Sequence, residues 1–301
     1  MQKLYGVVVP IVTPLTKEDT VDVESIKKLV DHCINNGVEG LYPCGTTGEM
    51  MYLSLEERKL IAETVVAHTN KRIPVFVHIG AWNLKDTIEL AQHAVTIGAD
   101  GIGVVTPTFF KLSDRGLIDF FRAVAESVPV NFPVYLYGIP QNAVNDISPA
   151  VAEAVAQACP NVVGIKYSFG DFTRMQQFML VRDQSFSVLA GPDHMFAPFC
   201  SAGGDGVVSG NAMCIPEHYD QLWSAIQAGD NALATKLQRR TNVLNTTLCA
   251  INNIAAYKVI LKNEGIISTT KMRRPMENLT PEQEADLLSS MEKLEYRKVI
   301  I

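Results

Sequence analysis

Lys166 is the residue that first suggests chemistry, because it follows the apolar run Val162-Val163-Gly164-Ile165. Such a run reads as a buried strand, so the lysine would arrive at the strand's end among apolar side chains. Desolvation there favours the neutral amine, a nucleophile able to attack a ketone and form a Schiff base. The alternative is a lysine just beyond the strand, solvated or paired with Asp171. Tyr137 stands at the end of Pro133-Val134-Tyr135-Leu136 and before Gly138-Ile139-Pro140, a rigid turn that would fix its phenol. It could relay protons, or it could be a core aromatic whose hydroxyl bonds to backbone. Gly45-Thr46-Thr47-Gly48-Glu49 offers backbone N–H groups and two hydroxyls, the equipment of a small anion cradle. It lacks the lysine and spacing of a P-loop, and a plain turn whose threonine caps the next helix would read the same way.

Short β-branched runs alternate with amphipathic segments over two thirds of the chain, the pattern of βα units around a parallel sheet. Strands are expected at 7–12, 38–42, 73–79, 101–105, 134–137, 162–165, 186–189 and 206–208, and eight is the barrel number. Helical patterns fill the intervals, at 23–36, 54–68, 84–97, 114–127, 149–158, 171–180 and briefly after Pro192. Beyond Pro216 only helices are expected, at 217–228, 231–263 with a break near Asn252-Asn253, and 281–294. The fold class is therefore α/β, a TIM (β/α)8 barrel over residues 1–215 with a helical appendage over 216–301. In such a barrel the site forms where strands enter their βα loops. The residues found there are Thr13, Gly45–Glu49, His78, Thr106, Tyr137, Lys166, Asp193, Ser209 and Asn211.

Composition narrows the partners. With 26 basic and 32 acidic residues the net charge is −6, which offers nucleic acid or anionic lipid no broad attraction and favours a small molecule. The early apolar run 6–12 is one strand long and broken by Pro10, too short for a signal peptide or a membrane span, so a cytoplasmic protein is expected. Six scattered cysteines without a CxxC pair argue against a zinc site and a disulfide framework, and read as reduced, mostly buried thiols. His78 has no acidic or histidine partner at metal-ligand spacing, and Cys44 reads as a buried, inert thiol.

In this order and spacing the landmarks Thr13-Pro14, Gly45–Glu49, Thr106-Pro107, Tyr137 with Pro140, Gly164-Ile165-Lys166, Gly170-Asp171, Gly191 and Gly206–Ser209 resemble the dihydrodipicolinate synthase and N-acetylneuraminate lyase family. The resemblance runs nearly end to end. It implies a homotetramer of TIM barrels in which Lys166 forms a Schiff base with pyruvate, or with the pyruvate half of a substrate. It further implies Tyr137 as proton shuttle, Thr46 and Thr47 as holders of the pyruvoyl carboxylate, and no metal or organic cofactor.

Departures from the family pattern bear on the substrate. Dihydrodipicolinate synthases carry an arginine two residues after the proline to bind a second carboxylate, and Asn142 stands there. An amide cannot form that bidentate, charge-assisted pair. Phe109 replaces the tyrosine that commonly extends the proton relay across a subunit contact. Ser168, Asp193 and Ser209 match places where sugar-acid lyases contact substrate hydroxyls, although His194 differs from the acid that sialic acid lyases place beside the aspartate. The expected activity is thus reversible cleavage of a 2-keto-3-deoxy sugar acid, or a related 2-oxo acid, to pyruvate and an aldehyde. Condensation of pyruvate with aspartate semialdehyde, a metal-dependent aldolase and a non-catalytic keto-acid binding protein are the alternatives.

Overall fold

The computed structural model describes residues 1–250 and 252–298. Eight strands form one parallel sheet: β1 Gly6–Val9, β2 Gly40–Leu41, β3 Phe76–His78, β4 Gly101–Val105, β5 Val134–Gly138, β6 Val162–Tyr167, β7 Ser187–Ala190 and β8 Gly206–Val208. Neighbours in the sheet follow chain order, and β1 pairs with both β2 and β8. The seam between β2 and β3 is held by a parallel bridge from Leu41 to Val75 and by the His78 amide donating to the Pro43 carbonyl at 3.0 Å. The sheet closes on itself as a TIM barrel.

Prolines account for the strands that are shorter than their apolar runs. β1 stops at Val9 because Pro10 has no N–H for the ladder, Pro43 limits β2, and β3 starts only after Pro74. β6 runs two residues past its expected end, so Lys166 lies within the strand and not just after it. The helices begin at side-chain caps: Ser54 with Glu57 forms a capping box, and Asn83, Ser113 and Ser148 each accept from a first-turn amide. Their apolar stripes meet the outward residues of the strands, such as Val7, Val9, Val134 and Leu136, in one continuous core.

Inside the barrel a second, smaller cluster contains Val8, Tyr42, Phe76, Tyr135, Val163 and Leu189. Large rings fit there because glycines face them. A Cβ on Gly103 would lie 1.5 Å from the Tyr42 hydroxyl, and one on Gly164 would lie 2.6 Å from the Tyr135 ring. Alternation of large and small side chains thus fills the interior below the C-terminal mouth.

After β8 come helices Pro216–Gln227, Asn231–Leu248, Asn253–Asn263 and Pro281–Lys293. The expected break falls where Asn252 caps the third of these, its side chain accepting from Ile254 N. The segment between the last two helices crosses back over the barrel mouth. Thr269 donates to the Leu15 carbonyl at 2.6 Å and the Arg273 amide donates to Glu49 at 2.7 Å.

Candidate active site

The register of β5 and β6 brings the first two chemical residues together. Val134 pairs with Val162 but Tyr135 pairs with Gly164, so Val163 is an extra residue and the strand carries a bulge. Beyond the bulge Tyr137 lies directly opposite Lys166. Lys166 Nζ sits 4.1 Å from the centroid of the Tyr137 ring and 5.5 Å from that of Tyr42, and the lysine is only 6% exposed. Asp171, the possible acidic partner, instead caps the helix Phe172–Met179 by accepting from Arg174 N at 2.9 Å. Among the described residues Lys166 has no ion-pair partner.

Thr46 reaches the same point from the loop after β2, its hydroxyl 3.2 Å from that of Tyr137. Within this loop the amides of Gly48, Glu49 and Met50 donate to the carbonyls of Gly45 and Thr46. The amides of Thr46 and Thr47 have no partner among the described residues, so they remain available to an anion. Thr13 braces the loop from β1 by donating to the Gly48 carbonyl at 2.8 Å. Glu49 is a structural residue: its carboxylate is fully buried, 2.5 Å from Lys258 Nζ. Lys258 donates also to the Lys271 carbonyl at 2.6 Å, which fixes the C-terminal segment to the loop.

Lys166, Tyr137, Thr46, Thr47, Ser168 and Asp193 all line one cavity of about 440 Å³ at the barrel mouth. Ser209 does not: it lies fully buried behind Asp193, donating to that carboxylate and accepting from the Ala212 amide at 3.1 Å. Tyr219 also donates to Asp193, at 2.5 Å. Burial raises the Asp193 carboxyl above its ordinary value, against the lowering effect of these two donors. Ser209 therefore acts through Asp193 in this structure, and a direct contact with a ligand in the cavity would require both to move.

Several lining residues were not identified from the sequence. Asn252, Asn253 and Tyr257 come from the C-terminal helices, and Gln141 from the short helix Pro140–Ala143 after β5, where it donates to the Ser168 carbonyl at 2.8 Å. The Asn252-Asn253 break was a legible signal that this stretch is irregular, but nothing local placed it over the barrel. Tyr257 is held by close approach to Gly210, where a Cβ would meet its ring at 2.7 Å.

The remaining strand-end residues are accounted for as structure. Thr106 donates to the Asn145 carbonyl. Asn211 donates to Asn245 at 2.7 Å. His78 lies beneath the cavity, edge-on to Tyr137 with ring centroids 5.8 Å apart, and its Nδ1–H donates to the Cys44 carbonyl at 3.1 Å. Burial, then the nearby Arg58 and Lys166 cations, hold it well below its usual value and keep the ring neutral. Burial likewise pushes the Cys44 thiol up to about 11, so it is not a nucleophile at neutral pH. Phe109 is 72% exposed on the rim with φ +75° and lies against Phe110, away from the cavity lining.

Fold and site together define a TIM-barrel protein of the aldolase and lyase type. Comparison with known proteins agrees. The family model described as "Dihydrodipicolinate synthetase family" matches residues 3–294. The 4-hydroxy-tetrahydrodipicolinate synthase of Acidiphilium cryptum is 35% identical over 84% of this chain and 86% of its own, and that of Coxiella burnetii 32% identical over 96% and 98%. Among solved structures, YagE of E. coli K12, a prophage protein of the family solved with pyruvate, superposes with a TM-score of 0.92 at 30% identity over 97% of this chain and 99% of its own. The dihydrodipicolinate synthase of Aquifex aeolicus also gives 0.92, at 29% identity over 98% and 99%. The chain belongs to the dihydrodipicolinate synthetase family and is an enzyme of the class I aldolase or lyase type. No helix among the described residues is long and apolar enough to cross a membrane.

Proposed function

We propose that this enzyme is a Schiff-base aldolase that reversibly splits a 4-hydroxy-2-oxo acid, a 2-keto-3-deoxy sugar acid or a related 2-oxo acid, into pyruvate and an aldehyde. The observation that carries the proposal is the pairing of Tyr137 with Lys166 on adjacent strands, with Lys166 Nζ 4.1 Å from the phenol ring. In cleavage the Lys166 amine attacks the C2 ketone, and the carbinolamine hydroxyl takes the Tyr137 proton and leaves as water, giving an iminium and the Tyr137 phenolate. Tyr137 accepts the C4 hydroxyl proton as the C3–C4 pair passes into the iminium, and the aldehyde departs. The enamine takes a proton at C3, and water hydrolyses the imine to release pyruvate. The Thr46 and Thr47 amides and hydroxyls hold the carboxylate, with the Thr46–Tyr137 hydrogen bond linking that subsite to the proton shuttle.

Borohydride reduction in the presence of pyruvate, followed by peptide mass spectrometry, tests this. A reduced adduct on Lys166 is the expected result, and Lys166→Ala should abolish both adduct and turnover. Absence of the adduct under saturating pyruvate would overturn the mechanism, and adduct without turnover on any aldehyde would favour a keto-acid binding protein.

A second reading, synthase-type condensation of pyruvate with aspartate semialdehyde, is favoured by the names of the relatives. Against it stands Asn142, exposed at the cavity where the resemblance to dihydrodipicolinate synthases implies an arginine, with Lys166 the only cationic side chain among the described lining residues. Asn142→Arg should raise the rate with aspartate semialdehyde by roughly tenfold or more, the worth of one charge-assisted pair. A wild-type rate already as high would make the synthase the better reading. A homotetrameric, cytoplasmic enzyme with the helical appendage beginning near residue 216 completes the proposal; size-exclusion chromatography with light scattering tests the assembly.

A further inference from the structure

Tyr42 crosses the floor of the barrel mouth. It follows β2, its amide donates to the Val9 carbonyl at 2.8 Å, and its side chain points into the barrel where that of Leu41 points out. Its far end lies on β4, where a Cβ on Gly103 would come within 1.5 Å of the hydroxyl oxygen. The ring is thus held at its root by one strand and at its tip by a glycine two strands away, and it is 1% exposed. The hydroxyl has no hydrogen-bond partner among the described residues. Burial, then the neighbouring phenols of Tyr137 and Tyr135, push the Tyr42 phenol well above its usual value, so it stays neutral and moves no proton. His78 leans against it with ring centroids 6.0 Å apart and is itself held neutral. What Tyr42 presents to the site is a ring face, and Lys166 Nζ lies over that face, 5.5 Å from its centroid.

The other wall around this nitrogen is Tyr137, with its ring centroid 4.1 Å away. A carboxylate would be the ordinary partner for a positive charge here. Asp193, the one carboxylate among the described lining residues, is instead engaged by the hydroxyls of Ser209 and Tyr219. We infer that Tyr42 takes part in the Schiff-base step, its ring face stabilising the positive charge that the Lys166 nitrogen carries as an iminium. The inference rests on the Schiff-base chemistry proposed for Lys166 and deepens it by naming what holds the charge of the intermediate. The negative face of an aromatic ring attracts a cation within about 6 Å of its centroid, and more strongly where water is excluded. Lys166 is only 6% exposed. A carboxylate in the same place would hold the lysine as an ammonium, which has no lone pair to attack a ketone. A ring face pulls less strongly and leaves the amine free to react. Tyr137 alternates between phenol and phenolate as it shuttles the proton, whereas Tyr42 presents the same face throughout. Both rings and the lysine lie inside one barrel, so the arrangement does not depend on a subunit contact.

Borohydride trapping on the full-length protein over a range of pyruvate concentrations, with the Lys166 adduct counted by peptide mass spectrometry, tests the role of the ring. Tyr42→Phe keeps the face and gives up only an unpartnered hydroxyl, so its half-saturating pyruvate should stay within about twofold of wild type. Tyr42→Leu removes the face and should raise half-saturating pyruvate about fivefold, the worth of a partly desolvated cation–π contact, with the adduct at saturation undiminished. Because Tyr42→Leu also opens space in the floor, a second series places phenylalanines with one, two and three ring fluorines at position 42. These keep the volume of the ring and withdraw negative charge from its face, so half-saturating pyruvate should climb with each fluorine. A flat fluorine series, or Tyr42→Phe as impaired as Tyr42→Leu, would overturn the inference while leaving the Schiff base at Lys166 standing. No adduct on Lys166 in the wild-type protein would remove the Schiff-base reading itself, and this inference with it.

Discussion

Replacing Lys258 with methionine removes one half of an ion pair whose two side chains are both fully buried, 2.5 Å apart, and joins no new acid to Glu49. The stranded carboxylate keeps the Arg273 amide at 2.7 Å, so part of its hydrogen bonding survives. Breaking a buried pair typically costs about 3–5 kcal/mol, and the surviving bond places this case near the lower end, at about 3 kcal/mol. That is a large share of the ~5–15 kcal/mol that holds a typical domain together. Lys258→Met should therefore lower the urea midpoint at pH 7.5 clearly, whereas Glu49→Gln with Lys258→Met should regain most of the loss, because the uncompensated charge is gone. In the double-mutant cycle with Glu49→Gln the coupling should be about 2 kcal/mol or more.

The site should respond as well. Lys258 sits beside Tyr257 on the helix that lines the cavity, and Glu49 closes the loop that carries Thr46 and Thr47. Lys258→Met should thus raise the pyruvate concentration needed for half-maximal borohydride trapping. A Lys258→Met variant within about 0.5 kcal/mol of wild type, or a double variant no more stable than the single, would refute the view that this pair couples appendage to site.

Glu39 is half-buried, and burial raises its carboxyl from 4.5 to about 7. A folded value above the unfolded one gives stability that is complete below pH 4.5 and is lost as pH rises through 7. The full shift corresponds to ~3 kcal/mol, reduced to ~1–2 kcal/mol for residual solvent screening. Glu39→Gln can keep the acceptor for the Val7 amide, so it should be more stable than wild type at pH 8 and lose that advantage near pH 5; parallel stability curves would refute this. Gly103→Ala drives a methyl into the Tyr42 hydroxyl and should cost ~1–3 kcal/mol by overpacking. Because Tyr42 lies beneath Lys166 Nζ, the same variant should slow trapping, and an unaltered trapping rate would show that the barrel floor does not set the lysine's position.

The barrel was legible because its signals are local: apolar runs about the length of a strand, separated by capped amphipathic helices. Prolines at 10, 43 and 74 were equally visible, yet their effect on the ladder depends on which neighbour needs the missing N–H, so strand ends were misplaced by up to three residues. The bulge at Val163 was invisible for a related reason. It is a property of the β5–β6 pair, and it decides whether Lys166 faces the mouth with Tyr137 or faces a helix. An apolar run gives the position of a lysine along a strand, but only pairing gives its face.

The same distinction explains the uneven view of the site. Lys166, Tyr137, Thr46 and Thr47 lie at strand ends or in the loop that follows one, where the order of elements already implies convergence, and the structure brings all four onto one cavity. Ser209 also lies at a strand end, yet it is turned to Asp193, because a buried carboxylate recruits the hydroxyls within reach. Tyr257 and Asn253 join the cavity from about ninety residues beyond Lys166, through a helix packed into the main core and tied to the loop after β2 by the buried contact of Lys258 with Glu49. Both halves of that contact look unremarkable in isolation, a glutamate after a glycine and a lysine in a helix. Their meaning is non-local, so the part of the site that the C-terminal helices supply is the part that a single sequence leaves unread.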